Sequence, residues 1–512
     1  MVAAERSADL MTNRLDTLTS WHSDWQGLRV AVFGLGMTGF SVADTLAELG
    51  ASVLVVAGAH DEDRERILQV LGVPVVVAES KDDVPEQLRS FGADLVVTSP
   101  GYPPHHPLLR WATESGVPVW GDMELAWRLR DKVGEPSKWL LVTGTNGKTT
   151  TTQLAAHMIA AGGIRVAPAG NIGIPVLDAV RDPEGFDVLV VEISSYQLHN
   201  THTVEPWASV VLNIANDHLD WHGSFEAYRD AKGRAYERTK VACVYNLGDP
   251  ETLRLVEQAD VQDGARAIGF GTEVPARSNF GVVDGVLVDR AFHEDRANSA
   301  LELATLDELR QRGMASKHLV EDVLAAAALA RSLDVSPADI HRAILDFTPD
   351  DHRNQLVLDT DEVLWVDDSK ATNAHAADAS LRSYRSVVWV LGGLLKGVNI
   401  APLIAAHAER IKGAIVIGEK REEILEAFAQ HAPGVPVIEI VVEDTSAVMP
   451  RVVAEAKQLV SSGDTVLLAP AAASMDQFES YSDRGNKFQQ AVREAAQEGT
   501  DTDADLPDET RD

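Results

Sequence analysis

Trp139-Leu-Leu-Val-Thr-Gly-Thr-Asn-Gly-Lys-Thr-Thr-Thr-Thr152 decides the reading of this chain. The apolar run Trp139 to Val142 reads as a buried strand. Gly144-Thr145-Asn146-Gly147 turns it, and Lys148-Thr149-Thr150 opens a run of helix formers from Gln153 to Ala161. Strand, glycine-rich turn and helix start together aim several backbone N–H groups at one anion. Lys148 adds a point charge for phosphate, and a threonine hydroxyl suits a magnesium shell. The spacing departs from the usual phosphate loop, because Val142 stands where the first glycine is expected. An ordinary strand-to-helix turn is the competing reading, but Gly-Lys-Thr-Thr favours a nucleoside triphosphate site.

Around this stretch, 512 residues predict more than one α/β domain. No apolar run is long enough to span a bilayer, so no stable membrane insertion is expected. Met1 to Trp25 lacks a signal-peptide pattern. The single cysteine, Cys243, excludes an internal disulfide framework, and a cytoplasmic location follows by elimination. A net charge of −33 disfavours a nucleic-acid surface. Part of that excess lies in residues 498–512, an acidic stretch expected to be a disordered tail.

Upstream, Leu28 to Phe33, Gly34-Leu-Gly-Met-Thr-Gly39 and a helix from about Phe40 to Leu49 give strand, Gly-x-Gly-x-x-Gly, helix, the dinucleotide fingerprint. The next strand, Ser52 to Val56, is followed by Ala57 and Gly58 where a ribose-binding acid is expected, which argues against NAD. Tight helix–sheet packing alone could also explain the glycines. Ser99-Pro-Gly101 follows another strand, at the edge where open sheets bind ligands.

Downstream, the apolar strand Asp187 to Val191 ends in Glu192-Ile-Ser-Ser-Tyr-Gln197, well placed for a magnesium carboxylate. His218 stands in a carboxylate-rich stretch at the end of the strand Ala208 to Ile214, and as a neutral imidazole it could bind a metal or position a phosphate. Lys232, on the helix after Ser224, reads most simply as a solvated lysine. Short strands are expected at Ala267 to Gly271 and Gly281 to Val288. Beyond a hinge at Phe347 to His352, strands at 363–366, 387–391, 414–418, 437–442 and 465–469 alternate with helices, predicting a parallel, doubly wound sheet.

Gly144-Thr-Asn-Gly-Lys-Thr-Thr150, Glu192-x-Ser-Ser-Tyr-Gln197, Asn213-x-x-x-Asp-His-Leu-Asp220, His352-Arg353 and Asp368-Ser-Lys-Ala-Thr-Asn373 resemble, in this order, the motifs of the Mur ligase family. The resemblance runs from about Leu28 to Ala495. It implies three domains after a polar leader (1–26): a Rossmann-like uridine-nucleotide domain (27–136), a central P-loop-type ATPase domain (137–348) and a Rossmann-like amino-acid domain (349–497). It further implies a monomeric enzyme that uses ATP and Mg²⁺ to join D-glutamate to UDP-N-acetylmuramoyl-L-alanine.

Carried over residue by residue, the resemblance assigns Gly144, Thr145, Asn146, Gly147, Lys148, Thr149 and Thr150 to ATP, with Arg353, Asp368 and Lys370. Met37, Thr38, Ser99, Gly101, Asn171, Ser194 and Gln197 are implied to contact the uridine substrate, and Thr372, Lys396, Ser474 and Tyr481 to receive D-glutamate. Lys148, Glu192, His218 and Lys232 form the implied catalytic set. Thr149, Glu192, His218 and a carbamylated Lys232 are the implied metal ligands. Two positions depart from the family pattern: Leu319 stands where an asparagine near the adenine is usual, and Gln355 replaces the glutamate of His-Arg-x-Glu. A folyl-type ligase and a non-catalytic nucleotide-binding homologue are the alternatives.

Overall fold

The computed structural model describes residues 14–78, 84–348, 350–360, 362–442 and 444–504. Residues up to 214 together with 226–348 form one compact unit, and 215–225 together with those from 349 onward form a second. Much of the polar leader (1–13), Pro349 of the expected hinge and residues 505–512 of the expected tail lie outside the described residues. The backbone of the final helix, Tyr481–Ala504, extends into that tail.

The first unit holds two sheets. One contains β1 (Arg29–Phe33), β2 (Ser52–Ala57), β3 (Val75–Val77), β4 (Leu95–Thr98) and β5 (Val119–Gly121), all parallel in the order β3-β2-β1-β4-β5. The order reverses between β1 and β4, so a crevice opens at their carboxyl ends.

The second sheet contains β6 (Lys138–Thr143), β7 (Val166–Gly170), β8 (Val188–Glu192), β9 (Ala208–Val211), β10 (Ala242–Asn246), β11 (Arg266–Phe270), β12 (Asn279–Val283), β13 (Val286–Asp289) and β14 (Leu301–Thr305). Its order is β14-β13-β12-β11-β10-β9-β6-β8-β7, parallel from β7 to β12 and antiparallel beyond. The run Gly281 to Val288, expected as one strand, is therefore a hairpin. Asp284-Gly285 breaks it, with φ of 48° and 81°, the backbone a tight hairpin turn demands. β14 had no alternating pattern strong enough to announce it.

The helix Lys148–Ala161 packs on this sheet and on the helix Lys317–Arg331. Ala325, Ala326, Ala327, Ala328 and Ala330 are wholly buried, and their small side chains allow the close helix approach. Leu319 belongs to the same core, so the departure from asparagine places an apolar group in packing.

The second unit has one sheet, β15 (Gln355–Thr360), β16 (Val363–Asp367), β17 (Val387–Gly392), β18 (Ile411–Ile417), β19 (Val437–Glu439) and β20 (Thr465–Leu468), ordered β15-β16-β20-β17-β18-β19. Only β15, an unexpected edge strand, is antiparallel. Three α/β sheets, each with parallel strands at its centre, agree with the fold class expected. Among the described residues no helix is long and apolar enough to cross a membrane.

Candidate active site

The phosphate-loop reading rests on the conformation and bracing of Gly144 to Lys148. Gly144 has φ of 155° and Gly147 φ of 83°, both glycine territory. A Cβ on Gly147 would stand 2.3 Å from Asp322 Oδ1 of the neighbouring helix, so the site admits no side chain. Gly147 caps the helix without a side-chain acceptor, and the first-turn N–H groups face outward from its N-terminus. Asn213, on the loop after β9, braces the turn: Asn146 N donates to its Oδ1 at 2.8 Å, and its Nδ2 donates back to Asn146 O at 3.1 Å.

Lys148 Nζ donates to Gly144 O and Thr145 O, both at 2.9 Å, so the cation is held over the loop. Thr143 Oγ1 donates to Ile193 O and accepts from Lys232 Nζ at 3.3 Å. Lys232 is only 2% exposed, which corrects the expectation of a solvated lysine. The helix Phe225–Gly233 turns that face inward, with Tyr228 and Arg229 also buried. Tyr228 shares a 2.9 Å hydrogen bond with Thr145 Oγ1, a loop contact that the sequence did not signal.

β8 lies beside β6 with Glu192 opposite Val142, so the carboxylate emerges at the same sheet edge as the loop. Glu192 is buried; Asn171 Nδ2 donates to its Oε1 at 2.9 Å, and Oε2 has no hydrogen-bond partner. A buried, unsatisfied carboxylate oxygen beside a phosphate loop fits a hard cation. Thr149, Glu192 and Lys232 fall in the first unit, whereas His218 belongs to the segment 215–225 of the second. Among the described residues no three His, Cys, Asp or Glu side chains gather as a metal shell.

Ser194 and Gln197, expected at the substrate, are engaged internally. They form a capping box for the helix Ser195–His199, and Gln197 Nε2 donates to Asp122 Oδ2 at 2.9 Å. Burial pushes the Asp122 carboxyl up to about 6, despite that bond.

In the first sheet, a Cβ at Gly34 would meet Ser99 Oγ at 2.6 Å, and one at Gly39 would meet Gly34 O at 2.2 Å. Gly36 has an ordinary φ of −68° and open space around its Cβ position. Packing therefore accounts for two glycines but not for the middle one, where the backbone is free to approach a ligand. Exposed Met37 and half-buried Thr38 follow it, and Ser99 Oγ is buried without a partner at the opposite side of the β1/β4 crevice. Asp61, the first acid after β2, is committed to capping the helix Glu62–Val70. Gly39→Ala is expected to destabilise the protein by about 1–3 kcal/mol through overpacking. Gly36→Ala should change the melting temperature far less, because its Cβ position is open; thermal melts compare the pair.

The second unit gathers its candidates at the carboxyl ends of β16, β20 and β17. Arg353 lies between His352 (φ 65°) and Asn354 (φ 50°), a backbone held by its surroundings. His352 Nδ1 meets Asp367 Oδ2 at 2.6 Å, and that carboxylate lifts the imidazole above its ordinary range. Asn354 N donates to Asp368 Oδ1, Ser380 Oγ donates to Asp368 Oδ2, and burial still pushes this carboxyl up to about 6. Lys370 Nζ sits 3.7 Å over the Tyr481 ring. Burial opposes ionisation of the Tyr481 phenol, but Lys370, Ser482 and Arg353 together outweigh it and hold the group below its usual range.

Leu394 and Ala473 exchange backbone hydrogen bonds of 2.9 and 3.0 Å, which sets the Lys396 loop beside Ser474. Ala471 N donates to Ala371 O, bringing in the loop of Thr372. Lys396 Nζ donates to Asp217 Oδ1 at 2.8 Å. Asp217 is buried, and Asn373 Nδ2 reaches its other oxygen at 3.4 Å. Asp217 and Arg484 had drawn no role from the sequence. Arg484 is wholly buried and donates to Ser369 Oγ, Ser369 O and Ala472 O, tying both loops together; burial lowers its guanidinium to about 10.

Comparison with known proteins matches residues 28–121 to the Mur ligase MurD-like N-terminal domain, 142–330 to the Mur ligase middle domain and 352–472 to the Mur ligase glutamate ligase domain. A Leifsonia xyli protein named UDP-N-acetylmuramoylalanine--D-glutamate ligase is 58% identical over 499 residues, covering 95% of this chain and 96% of its own. A Streptomyces coelicolor protein of the same name is 50% identical, covering 92% and 99%. Among solved structures, the MurF ligase of Thermotoga maritima in complex with ADP shares the fold, with a TM-score of 0.53 at 17% identity over 94% of this chain and 99% of that one. UDP-N-acetylmuramate-alanine ligase MurC of the same organism does so with a TM-score of 0.52 at 18% identity, over 92% and 99%.

Proposed function

The chain belongs to the Mur ligase family, and we propose that it uses ATP to join D-glutamate to UDP-N-acetylmuramoyl-L-alanine in peptidoglycan precursor synthesis. The observation that carries this reading is the glycine-braced phosphate loop of β6 with Glu192 buried at the same sheet edge. The near full-length identity to D-glutamate ligases supports the substrate pair. The uridine nucleotide is assigned to Gly36, Met37, Thr38, Ser99 and Gly101, within a domain of residues 27–136. ATP is assigned to residues 144–150 of a domain spanning 137–348. The acceptor is assigned to Thr372, Lys396, Ser474 and Tyr481 in residues 349–497, where Arg353, Asp368 and Lys370 serve the nucleotide. The reading is of a monomeric, cytoplasmic enzyme acting on soluble small molecules.

The chemistry explains why such a site needs a phosphate loop. A free carboxylate does not acylate an amine, because oxide is too poor a leaving group. The alanine carboxylate attacks the γ-phosphorus, the bond to the bridging oxygen breaks, and ADP leaves behind an acyl phosphate. The D-glutamate amine then adds to the acyl carbon, loses a proton, and the tetrahedral intermediate expels phosphate as the amide forms. Both reactants of the first step are anionic, so Lys148 and the helix N-terminus must offset their repulsion. Glu192 would hold Mg²⁺, with Thr149, His218 and a carbamylated Lys232 as further ligands. When bound, the metal neutralises charge on the phosphate oxygens. Asn171 fixes the orientation of Glu192, and Thr143 that of Lys232.

Purified protein should release phosphate only when UDP-N-acetylmuramoyl-L-alanine, ATP, Mg²⁺ and D-glutamate are all present. Turnover with a diamino acid in place of D-glutamate would overturn the acceptor assignment. Lys396→Ala should raise KM for D-glutamate by roughly 10- to 100-fold, the worth of one charge-assisted hydrogen bond. KM for ATP should stay within about twofold. An unchanged acceptor KM would remove Lys396 from that role.

A further inference from the structure

We propose that Gln489, on the final helix, is a positioning residue for the nucleotide-contacting pair Arg353 and Lys370, an inference that rests on the assignment of those two residues to ATP. Gln489 is only 7% exposed. Its Nε2 donates to Asp367 Oδ2 and to Gln355 Oε1, both at 2.9 Å, and lies 3.3 Å from His352 Nδ1. Arg493 Nη2 donates to its Oε1 at 3.0 Å, so every polar atom of the amide is used.

The partners of Gln489 all act on one segment. Gln355 Oε1 also accepts from His352 N at 2.9 Å, and Asp367 Oδ2 takes the His352 ring at 2.6 Å. Lys370 N donates to His352 O at 3.2 Å, and Asp367 Oδ1 accepts from Ser369 N at 2.9 Å. The left-handed backbone at His352 and Asn354, which projects Arg353, is thus clamped to the turn that carries Lys370. Gln489 closes the clamp from outside both.

The same geometry explains the amide at position 355. Asp367 already supplies the carboxylate that pairs with His352. A glutamate at 355 would turn an oxygen that accepts from Gln489 into a second charge facing the same amide, within a buried cluster that already holds one. The neutral pair Gln355 and Gln489 satisfies Asp367 without adding charge. The departure from the usual His-Arg-x-Glu pattern is compensated by Asp367 and by a residue on an element far away in the chain.

The test uses the full chain and steady-state kinetics with each substrate varied. Gln489→Glu keeps size but replaces the donating amide with a carboxylate beside Asp367. It should raise KM for ATP at least fivefold, with kcat and KM for D-glutamate within about twofold. Gln489→Leu removes the donor without adding a charge and leaves the Asp367–His352 pair in place, so it should raise KM for ATP less than Gln489→Glu does. A thermal melt accompanies each variant, and a KM change confined to ATP in a variant that stays folded separates positioning from loss of fold. An unchanged KM for ATP in Gln489→Glu, or a loss of kcat in step with the rise in KM, overturns the proposal. Arg353→Ala is the control: if it leaves KM for ATP unchanged, the assignment of Arg353 fails and takes the proposal with it. If Arg353→Ala raises KM and Gln489→Glu does not, only the positioning role fails.

Discussion

Lys148→Ala is expected to lower ligase turnover by about three orders of magnitude while leaving the protein folded. The side chain holds a cation over the phosphate loop, anchored by the carbonyls of Gly144 and Thr145. A charge fixed in this way need not reorganise when negative charge builds up on the transferring phosphoryl group, so its effect falls on the transition state. Without it the loop keeps other supports: Asn213 braces the turn through two hydrogen bonds, and the positive φ at 144 and 147 is open to glycine whatever stands at 148. The melting temperature should fall by no more than a few degrees, and the helix N-terminus should still bind ADP, more weakly. Phosphate release with all four components present measures the first effect, and calorimetry with ADP the second. Turnover within tenfold of the parent protein would sink the mechanism drawn for this loop.

The phosphate loop was legible because its signal is local: strand, turn and helix start lie within fourteen consecutive residues. The Gly-x-Gly-x-x-Gly turn was equally visible, but only the structure separates its packing glycines, Gly34 and Gly39, from Gly36. The parallel strands were readable as apolar runs because both faces of each sheet are covered. Lys232 could not be read correctly, since a lysine on a short amphipathic helix carries no mark of the tertiary surface that buries it. Asp217, Arg484 and Gln489 escaped for a related reason. Each acts on a residue that is distant in sequence: Lys396, Ser369 and Asp367. Buried polar networks are built from such distant pairs, and no spacing rule announces them. Ser194 and Gln197 show the converse, a motif legible in sequence whose side chains also cap a helix and hold Asp122, contacts that the motif did not announce.

Glu192→Gln separates chemistry from folding more sharply than any other substitution in the first unit. The glutamine is nearly isosteric, and its carbonyl oxygen can still accept from Asn171, so the contact made by Oε1 survives. What changes is the atom at Oε2, buried and without a partner. Replacing a buried, half-satisfied carboxylate with a neutral amide removes part of a desolvation cost, so the melting temperature should stay level or rise. Turnover should nevertheless fall by about two orders of magnitude, because an amide is a far weaker ligand than a carboxylate for a hard divalent cation. The Mg²⁺ concentration giving half-maximal rate should increase in step. Thermal melts and magnesium titrations of the rate check the two halves independently. A variant that loses stability together with activity would make Glu192 a structural residue. One that keeps its turnover at low Mg²⁺ would remove Glu192 from the metal site, leaving the unsatisfied oxygen at the end of β8 without a function.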